Sequence, residues 1–171
     1  MLEHAELRAL LPQRFPMLLL DRVTEVEPGV RLTAVKAVTG CEPCYRGLSD
    51  TAPPSAYRYP PSLLLESFGQ AAAVLWFLQH PELEDGEDRL PLFTSVRDLR
   101  FGDPVLPGDL VRHEVRMDHA VPGAAFVTGE TRVGGRCVAT VGSLMAAVRP
   151  RSELGPARAS GMEPKGDTDS E

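Results

Sequence analysis

The alternation of hydrophobic and polar positions divides the chain into six strand-like runs and two helical ones. In residues 110–119 apolar and charged residues alternate, which is the two-residue period of a strand with one exposed face. Residues 62–80 are instead apolar almost all round and end before Pro81, which predicts a buried helix with Ser62 as its cap. The other predicted elements are a weakly amphipathic helix over 2–11 and strands over 18–26, 30–38, 91–101, 124–133 and 137–148.

The order of these elements predicts an α+β domain. A short helix and two strands precede the buried helix, and four strands follow it. Glu27-Pro28-Gly29 and Gly134-Gly135 supply the turns of two hairpins. Six strands curved around one long helix would bury that helix against the concave face of a sheet. We therefore predict one domain over residues 1–150 and a disordered tail over 151–171, where apolar side chains are nearly absent.

Residues 40–61 break the regular pattern. The segment is rich in proline and glycine, so neither a helix nor a strand is expected there. A loop of this length inside a compact domain is usually functional or disordered, and three tyrosines make this one too aromatic for a simple linker. We predict that it lines a site or an interface, and that Tyr57 and Tyr59 contribute to substrate binding.

Charge and hydropathy exclude two classes of partner. The formal net charge of −6 argues against nucleic acid, because domains that bind the phosphate backbone carry a concentrated basic surface. The apolar helix is shorter than the roughly 20 residues of a membrane span. It is also interrupted by Glu66 and Gln70. We expect neither a nucleic-acid nor a membrane partner.

The three cysteines indicate a reducing compartment. Their number is odd and no secretory leader precedes them, so we expect a cytoplasmic protein with free thiols. Cys41 and Cys44 have the spacing of a redox or zinc motif, but no second ligand pair stands at metal spacing. We predict no metal site and interpret these residues as loop thiols.

The residue with the clearest chemical potential is Glu66. It lies one turn into the apolar helix, and Gln70 follows at i+4 on the same face. A carboxyl group in apolar surroundings can stay protonated and donate its proton to a leaving group. The alternative is a structural glutamate held by Gln70 and by the helix N-terminal amides. The pattern alone leaves both readings open.

Several segments resemble the β-hydroxyacyl-acyl-carrier-protein dehydratases. The opening LPQRFPMLLLDRV, residues 11–23, is similar to that family's LPHRxPxLLxDRx, with Gln13 in place of the histidine. The resemblance covers roughly residues 7–148, and its strength comes from the combination of pieces in one order. The further pieces are AVKAV at 34–38, Glu42-Pro43, LESFGQAA at 65–72, Arg100-Phe101 and PVLPGD at 104–109.

This resemblance implies the hotdog fold, a six-stranded antiparallel sheet wrapped around one long central helix. It also implies three catalytic tasks. In these dehydratases a loop histidine removes the α-proton, a glycine amide at the helix start polarises the thioester carbonyl, and an acid on the helix helps the β-hydroxyl leave as water. Glu66 matches the acid.

The other two catalytic parts are missing from the matching positions. The family's GHFP segment falls at residues 47–50, where Leu48 replaces the histidine and cannot accept a proton. The family's helix-start glycine falls at Pro61, and proline has no backbone N–H to offer a carbonyl. The four histidines of the chain lie elsewhere, and we interpret them as structural or solvated.

The pattern of loss predicts a shared site. In the family's dimers the histidine and glycine come from one subunit and the acid from the other. We therefore expect a homologous dehydratase-like subunit, as a heterodimer or larger assembly, that supplies His and Gly while this chain supplies Glu66. Two alternatives stay open: a non-catalytic hotdog subunit that stabilises a partner or docks the acyl carrier, and a thioesterase-like hotdog protein.

The resemblance also indicates the substrate. It implies acyl chains carried on the phosphopantetheine arm of an acyl carrier protein, in fatty-acid or polyketide biosynthesis, with no cofactor of the chain's own. We predict Glu66 as catalytic and Gln70, Phe68 and Phe101 as substrate-binding, together with the two loop tyrosines. Arg97, Arg100 and Arg112 are candidate contacts for the acidic carrier.

Overall fold

The computed structural model describes residues 1–80 and 89–150, with side chains described outside 89 and 90. The strands form one antiparallel sheet in the order β1-β2-β4-β5-β6-β3. This confirms the predicted α+β fold and its six strands around a long helix. The elements are α1 (His4–Leu10), β1 (Arg22–Glu27), β2 (Arg31–Ala37), α2 (Pro61–Phe77), β3 (Arg89–Phe101), β4 (Leu110–Val121), β5 (Ala124–Val133) and β6 (Arg136–Pro150).

Helix α2 forms the centre of the core. From Ser67 to Phe77 every residue of the helix is buried, and the strands of the sheet pack around it. Its start corrects the prediction that Ser62 caps the helix, because Pro60 is the N-cap and makes no side-chain capping bond. The fixed φ of proline already suits the first helical position, so Pro61 begins the helix one residue earlier than the pattern suggested.

The loop between β2 and α2 is irregular, as predicted. It contains two short 3-10 helices, Pro43–Tyr45 and Pro54–Tyr57. Tyr45 and Tyr59 are buried in a second apolar cluster with Leu64, separate from the core cluster around most of α2. The aromatic residues of the loop therefore serve first to fix it to the sheet and to the helix start.

The two edges of the sheet differ. Leu2 pairs with Val23 through reciprocal backbone hydrogen bonds of 2.9 Å, which covers part of the β1 edge. No strand covers β3 among the residues that the structure describes. Along β3 the side chains of Phe93, Val96 and Phe101 are exposed. An uncovered edge with apolar side chains is suited to pairing with a second chain.

The remaining expectations concern the thiols, metal binding, membrane spans and the C-terminal tail. All three cysteines are free and exposed. The structure shows no cluster of metal-ligating side chains within 1–80 and 89–150. In the same ranges no helix has the length and hydropathy needed to cross a membrane. The predicted disordered tail over 151–171 lies outside the described residues.

Candidate active site

Glu66 lines an open groove between helix α2 and the edge strand β3. The groove has a volume of about 400 Å³. Glu66 is partly buried there and is the one ionisable side chain among the described residues that line it. The remaining lining is apolar or hydroxylic: Ser62, Leu65, Phe93, Thr94, Ser95, Val96 and Leu144.

One carboxylate oxygen of Glu66 is held by two side-chain amides. The Nε2 of Gln70 donates to Oε1 of Glu66 at 2.8 Å, and the Nε2 of Gln13 donates to the same oxygen at 3.4 Å. The helix places Gln70 one turn after Glu66, whereas Gln13 arrives from the segment between α1 and β1. Both of these hydrogen bonds converge on Oε1.

Gln70 is locked in place by the chain around it. It is fully buried, and its Oε1 accepts the backbone N–H of Leu19 at 2.9 Å. Its Nε2 also donates to the carbonyl of Met17 at 2.6 Å. Its acceptor and both donor hydrogens are therefore used within the protein. Gln70 orients Glu66, and its predicted contact with substrate stays a prediction.

Phe93 closes one side of the groove by packing directly onto the helix. The ring lies where a Cβ atom on Gly69 would be, so a glycine at 69 is what permits this contact. A bulge in β3 between Phe93 and Ser95 accompanies it. The sequence pattern gave no sign of this contact, because it depends on the register of β3 against β6.

The predicted aromatic substrate-binding residues do not line the Glu66 groove. Phe68 is 1% exposed and belongs to the core, where its ring meets His113 edge-on. Tyr59 is 3% exposed, in the cluster beneath the loop. Tyr57 lines a separate groove of about 390 Å³, and Phe101 lies exposed at the end of β3. Their roles in substrate binding stay predictions.

The matching positions of the missing catalytic parts are occupied as the sequence indicated. Leu48 packs against the apolar cluster beneath the loop. Pro61 is the first residue of α2, so the donor expected from a helix-start glycine is absent there. No histidine lines the groove among the described residues. The described lining of the groove therefore offers no base for removal of an α-proton.

His113 is a buried polar centre that the sequence did not reveal. It is fully buried on β4, 2.8 Å from the hydroxyl of Ser67 and 2.9 Å from that of Thr131. Burial, and secondarily the positive charge of Lys36, lowers the pKa of His113 to about 3, so the imidazole is neutral. With both ring nitrogens paired and the side chain fully buried, His113 is structural, which is one of the two roles that the sequence analysis allowed for it.

A second buried polar cluster lies beneath the loop. Lys36 and Glu42 form an ion pair of 2.9 Å with side chains 6% and 12% exposed. The Lys36 ammonium also lies 5.5 Å from the centre of the Tyr59 ring. The hydroxyls of Tyr45 and Tyr59 are buried without a partner among the described residues, and burial raises the pKa of Tyr45 to about 12. Neither tyrosine is placed to act as a base.

The three arginines predicted to contact the acyl carrier have different surroundings. Arg112 is engaged with Glu25 at 3.4 Å and Glu114 at 3.3 Å, so it belongs to an ion-pair network on the sheet surface. Arg97 and Arg100 are exposed on β3, the strand whose residues 93–96 line the groove. The carrier contact stays a prediction for all three arginines.

A curved sheet around a helix that presents a carboxylate to an open groove is the arrangement of a hotdog dehydratase. A sequence profile described as the FabA-like domain matches residues 11–142. The 3-hydroxyacyl-acyl-carrier-protein dehydratase FabZ of Histophilus somni is 40% identical over 148 residues, covering 86% of this chain and 93% of the relative. The FabZ of Haemophilus ducreyi is 38% identical over 135 residues, covering 79% and 84%.

The chain belongs to the FabA-like family of hotdog dehydratases. At the level of the family this confirms the prediction of a dehydratase-like, hydro-lyase enzyme.

Solved structures show the same fold. One is titled the dehydratase heterocomplex ApeI:P from Xenorhabdus doucetiae, with a TM-score of 0.69 and 19% identity over 86% of this chain and 93% of that one. Another is the fluoroacetyl-CoA thioesterase FlK, with a TM-score of 0.57 and 13% identity over 76% and 93%. At these identities the likeness concerns the fold alone.

Proposed function

We propose that this chain contributes Glu66 to a β-hydroxyacyl-thioester dehydratase site that it shares with a homologous subunit. The acyl chain is carried on the phosphopantetheine of an acyl carrier protein. The observation that carries the proposal is the groove itself: an oriented carboxylate opens toward an uncovered sheet edge, and no base lines it among the described residues.

The position of the groove supports a shared site. Thr94, Ser95 and Val96 belong both to the lining of the groove and to the uncovered strand β3. A strand paired against β3 would bring its own subunit to the mouth of the groove, beside Glu66. A base and a carbonyl donor on that subunit would then complete the set of groups that dehydration requires.

The reaction assigns each group one task. The partner's base takes the α-proton, and the electron pair of that C–H bond forms the α,β double bond. The bond from the β-carbon to its hydroxyl oxygen breaks, and the leaving oxygen takes the proton of Glu66 to depart as water. Glu66 is left ionised, with Oε1 held by Gln70. The base then returns the proton that it took from the substrate to Glu66 through solvent, so both groups regain their starting forms and one water leaves for each enoyl thioester formed.

Two names among the similar proteins support the substrate and the partner. Relatives with 36–40% identity are named as dehydratases of acyl carried on a carrier protein. The ApeI:P structure is titled a dehydratase heterocomplex, so a hotdog assembly of unlike chains has a precedent. The cytoplasm as the site of action is part of the same proposal.

The test compares the chain alone with the chain co-purified with a homologous subunit that carries the loop histidine and helix-start glycine. The substrate is a β-hydroxyacyl thioester on a carrier protein. We expect the enoyl thioester only from the mixture, and a loss of about a hundredfold in turnover for Glu66→Gln in the complex. Glu27→Gln is the matched control, because Glu27 is exposed on β1, far from the groove lining.

Three outcomes would contradict the proposal. Full turnover by the chain alone would exclude a shared site. Unchanged turnover of the Glu66→Gln complex would favour a subunit that only stabilises its partner or docks the carrier. Release of a free acid in place of the enoyl thioester would indicate a thioesterase.

A further inference from the structure

The side-chain amide of Gln13 donates to Glu66 through its nitrogen, while its oxygen accepts no hydrogen bond from the described residues. Its Nε2 lies 3.4 Å from Oε1 of Glu66. Its Oε1 is buried and has no hydrogen-bond partner among the described residues. A buried acceptor left without a donor loses its hydration without replacement and so destabilises the folded chain. Such an atom beside a catalytic carboxyl calls for a physical reason.

Gln70 cannot offer Glu66 a hydrogen-bond acceptor. The backbone N–H of Leu19 and the carbonyl of Met17 fix the direction of the Gln70 amide, so only a donor hydrogen faces Glu66. A donor suits the ionised carboxylate. It offers no acceptor to the O–H group of a protonated carboxyl.

A general acid passes through both forms in each turnover. Glu66 has to carry a proton before the β-hydroxyl leaves, and it is ionised afterwards. A carboxylate only accepts hydrogen bonds, whereas the protonated carboxyl also donates one. A neighbour that serves both forms must be able to present either a donor or an acceptor.

We propose that Gln13 is this neighbour, a positioning residue whose amide presents Nε2 to ionised Glu66 and, after a half rotation, Oε1 to protonated Glu66. The rotation breaks no other bond, because the side chain of Gln13 has no partner besides Glu66 in the part of the chain that the structure describes. Its catalytic consequence rests on the proposed function, whereas the rotation itself does not.

The surroundings of the pair leave Gln13 as the adaptable partner. Arg14 is the charged residue next to Gln13, and its Nη1 donates to the backbone carbonyls of Leu11 and Gln13 at 2.6 and 2.7 Å. These bonds hold the backbone at Gln13 while leaving its amide free to turn. No ionisable side chain besides Glu66 lines the groove within residues 1–80 and 89–150.

The first test follows the rotation without any turnover. In the isotopically labelled chain, the side-chain amide signals of Gln13 and the carboxyl ¹³C signal of Glu66 are recorded by NMR through a pH titration. We expect the chemical shifts of the Gln13 amide to change over the same pH range as the carboxyl signal of Glu66. This change should be absent in Glu66→Gln, and the exposed Gln79 amide should not show it. A Gln13 amide that is unchanged while Glu66 titrates would overturn the proposal.

The second test measures the catalytic consequence in the complex with the homologous subunit. Gln13→Met keeps the length of the side chain without its polar atoms, and we expect kcat to fall about tenfold with KM changed less than about twofold. Gln13→His, which restores a donor and an acceptor on a neutral ring, should keep most of kcat. Gln79→Met, the same substitution in the turn after α2, should leave both constants unchanged.

The two tests separate the possible failures. A kcat of Gln13→Met equal to that of the wild type would overturn the positioning role, even in an active complex. A wild-type mixture without any turnover would instead refute the proposed function, and the NMR titration would then decide the inference about Gln13 by itself.

Discussion

At the scale of single residues, the fold depends on polar side chains that the sequence pattern does not distinguish from surface ones. His113 occupies an inward position of an alternating strand, where it was expected to be structural or solvated. Its two hydroxyl partners, Ser67 and Thr131, come from α2 and β5. No local pattern predicts a contact between three separate elements, so the burial of this imidazole became visible only in the structure.

The buried neutral His113 predicts a pH-dependent stability. Its pKa is about 3 in the folded chain, against about 6.5 in the unfolded one. The unfolded state therefore takes up a proton first, and the stabilisation present above pH 6.5 is lost as the pH falls toward 3. Relative to His113→Gln, the free energy of unfolding of the wild type should drop by about 2 kcal/mol between pH 7.5 and pH 5.

Urea denaturation of both chains at the two pH values measures this difference. Subtracting the pH-dependent change in the free energy of unfolding of His113→Gln from that of the wild type removes the contribution of the carboxylates, which are the same in both chains. A wild-type stability that changes with pH by the same amount as that of His113→Gln would refute a buried neutral imidazole.

At the scale of elements, the sequence predicted the number, type and order of helices and strands. Strand β5 occurs at the predicted residues 124–133, and the other strands begin and end within about four residues of the predicted bounds. Helix α2 ends at Phe77 where 80 was predicted, because the pattern of apolar residues does not mark the last helical turn. Hydropathy fixes which residues face inward, but not the register between strands.

Gly69 shows how register shapes the site. An added Cβ would overlap the ring of Phe93, which is 37% exposed and has room to swing away into the groove. Alanine also favours a helix over glycine by about 1 kcal/mol. We expect Gly69→Ala to leave the melting temperature unchanged or higher while lowering turnover of the complex. Turnover would then fall without any loss of stability.

Thermal denaturation and a turnover assay on the same preparation check this prediction. Gly135→Ala is the control, because an added Cβ at position 135 meets open space in the β5–β6 turn. Wild-type turnover in Gly69→Ala would mean that the position of the Phe93 ring does not matter for the groove.

At the scale of the whole molecule, the candidate site joins residues that lie far apart in the chain. The sequence placed Glu66 on the central helix and identified the missing base and donor at Leu48 and Pro61. It could not place Gln13 beside Glu66, since 53 positions separate the two residues in the chain. The contact exists only because the segment after α1 returns across the helix.

The uncovered strand β3 predicts where a second chain associates. Val96→Lys places a charge on this edge, at a side chain that is 38% exposed. We expect the affinity for the homologous subunit to fall by about tenfold or more, since an inserted lysine discourages edge pairing. Val30→Lys is the matched control, because Val30 is 48% exposed in the β1–β2 turn, at the opposite side of the sheet. Sedimentation analysis of each mixture measures the affinity; equal weakening by both variants would contradict pairing through β3.

The unequal edges of the sheet limit how large an assembly can grow. Leu2 already pairs with part of the β1 edge, and the exposed Arg22, Glu25 and Glu27 place charges along the rest. A molecule with one uncovered edge and one protected edge can pair with a single neighbour, and no second edge is then left for a further strand. Association by strand pairing would accordingly terminate at a closed pair instead of propagating into a fibre.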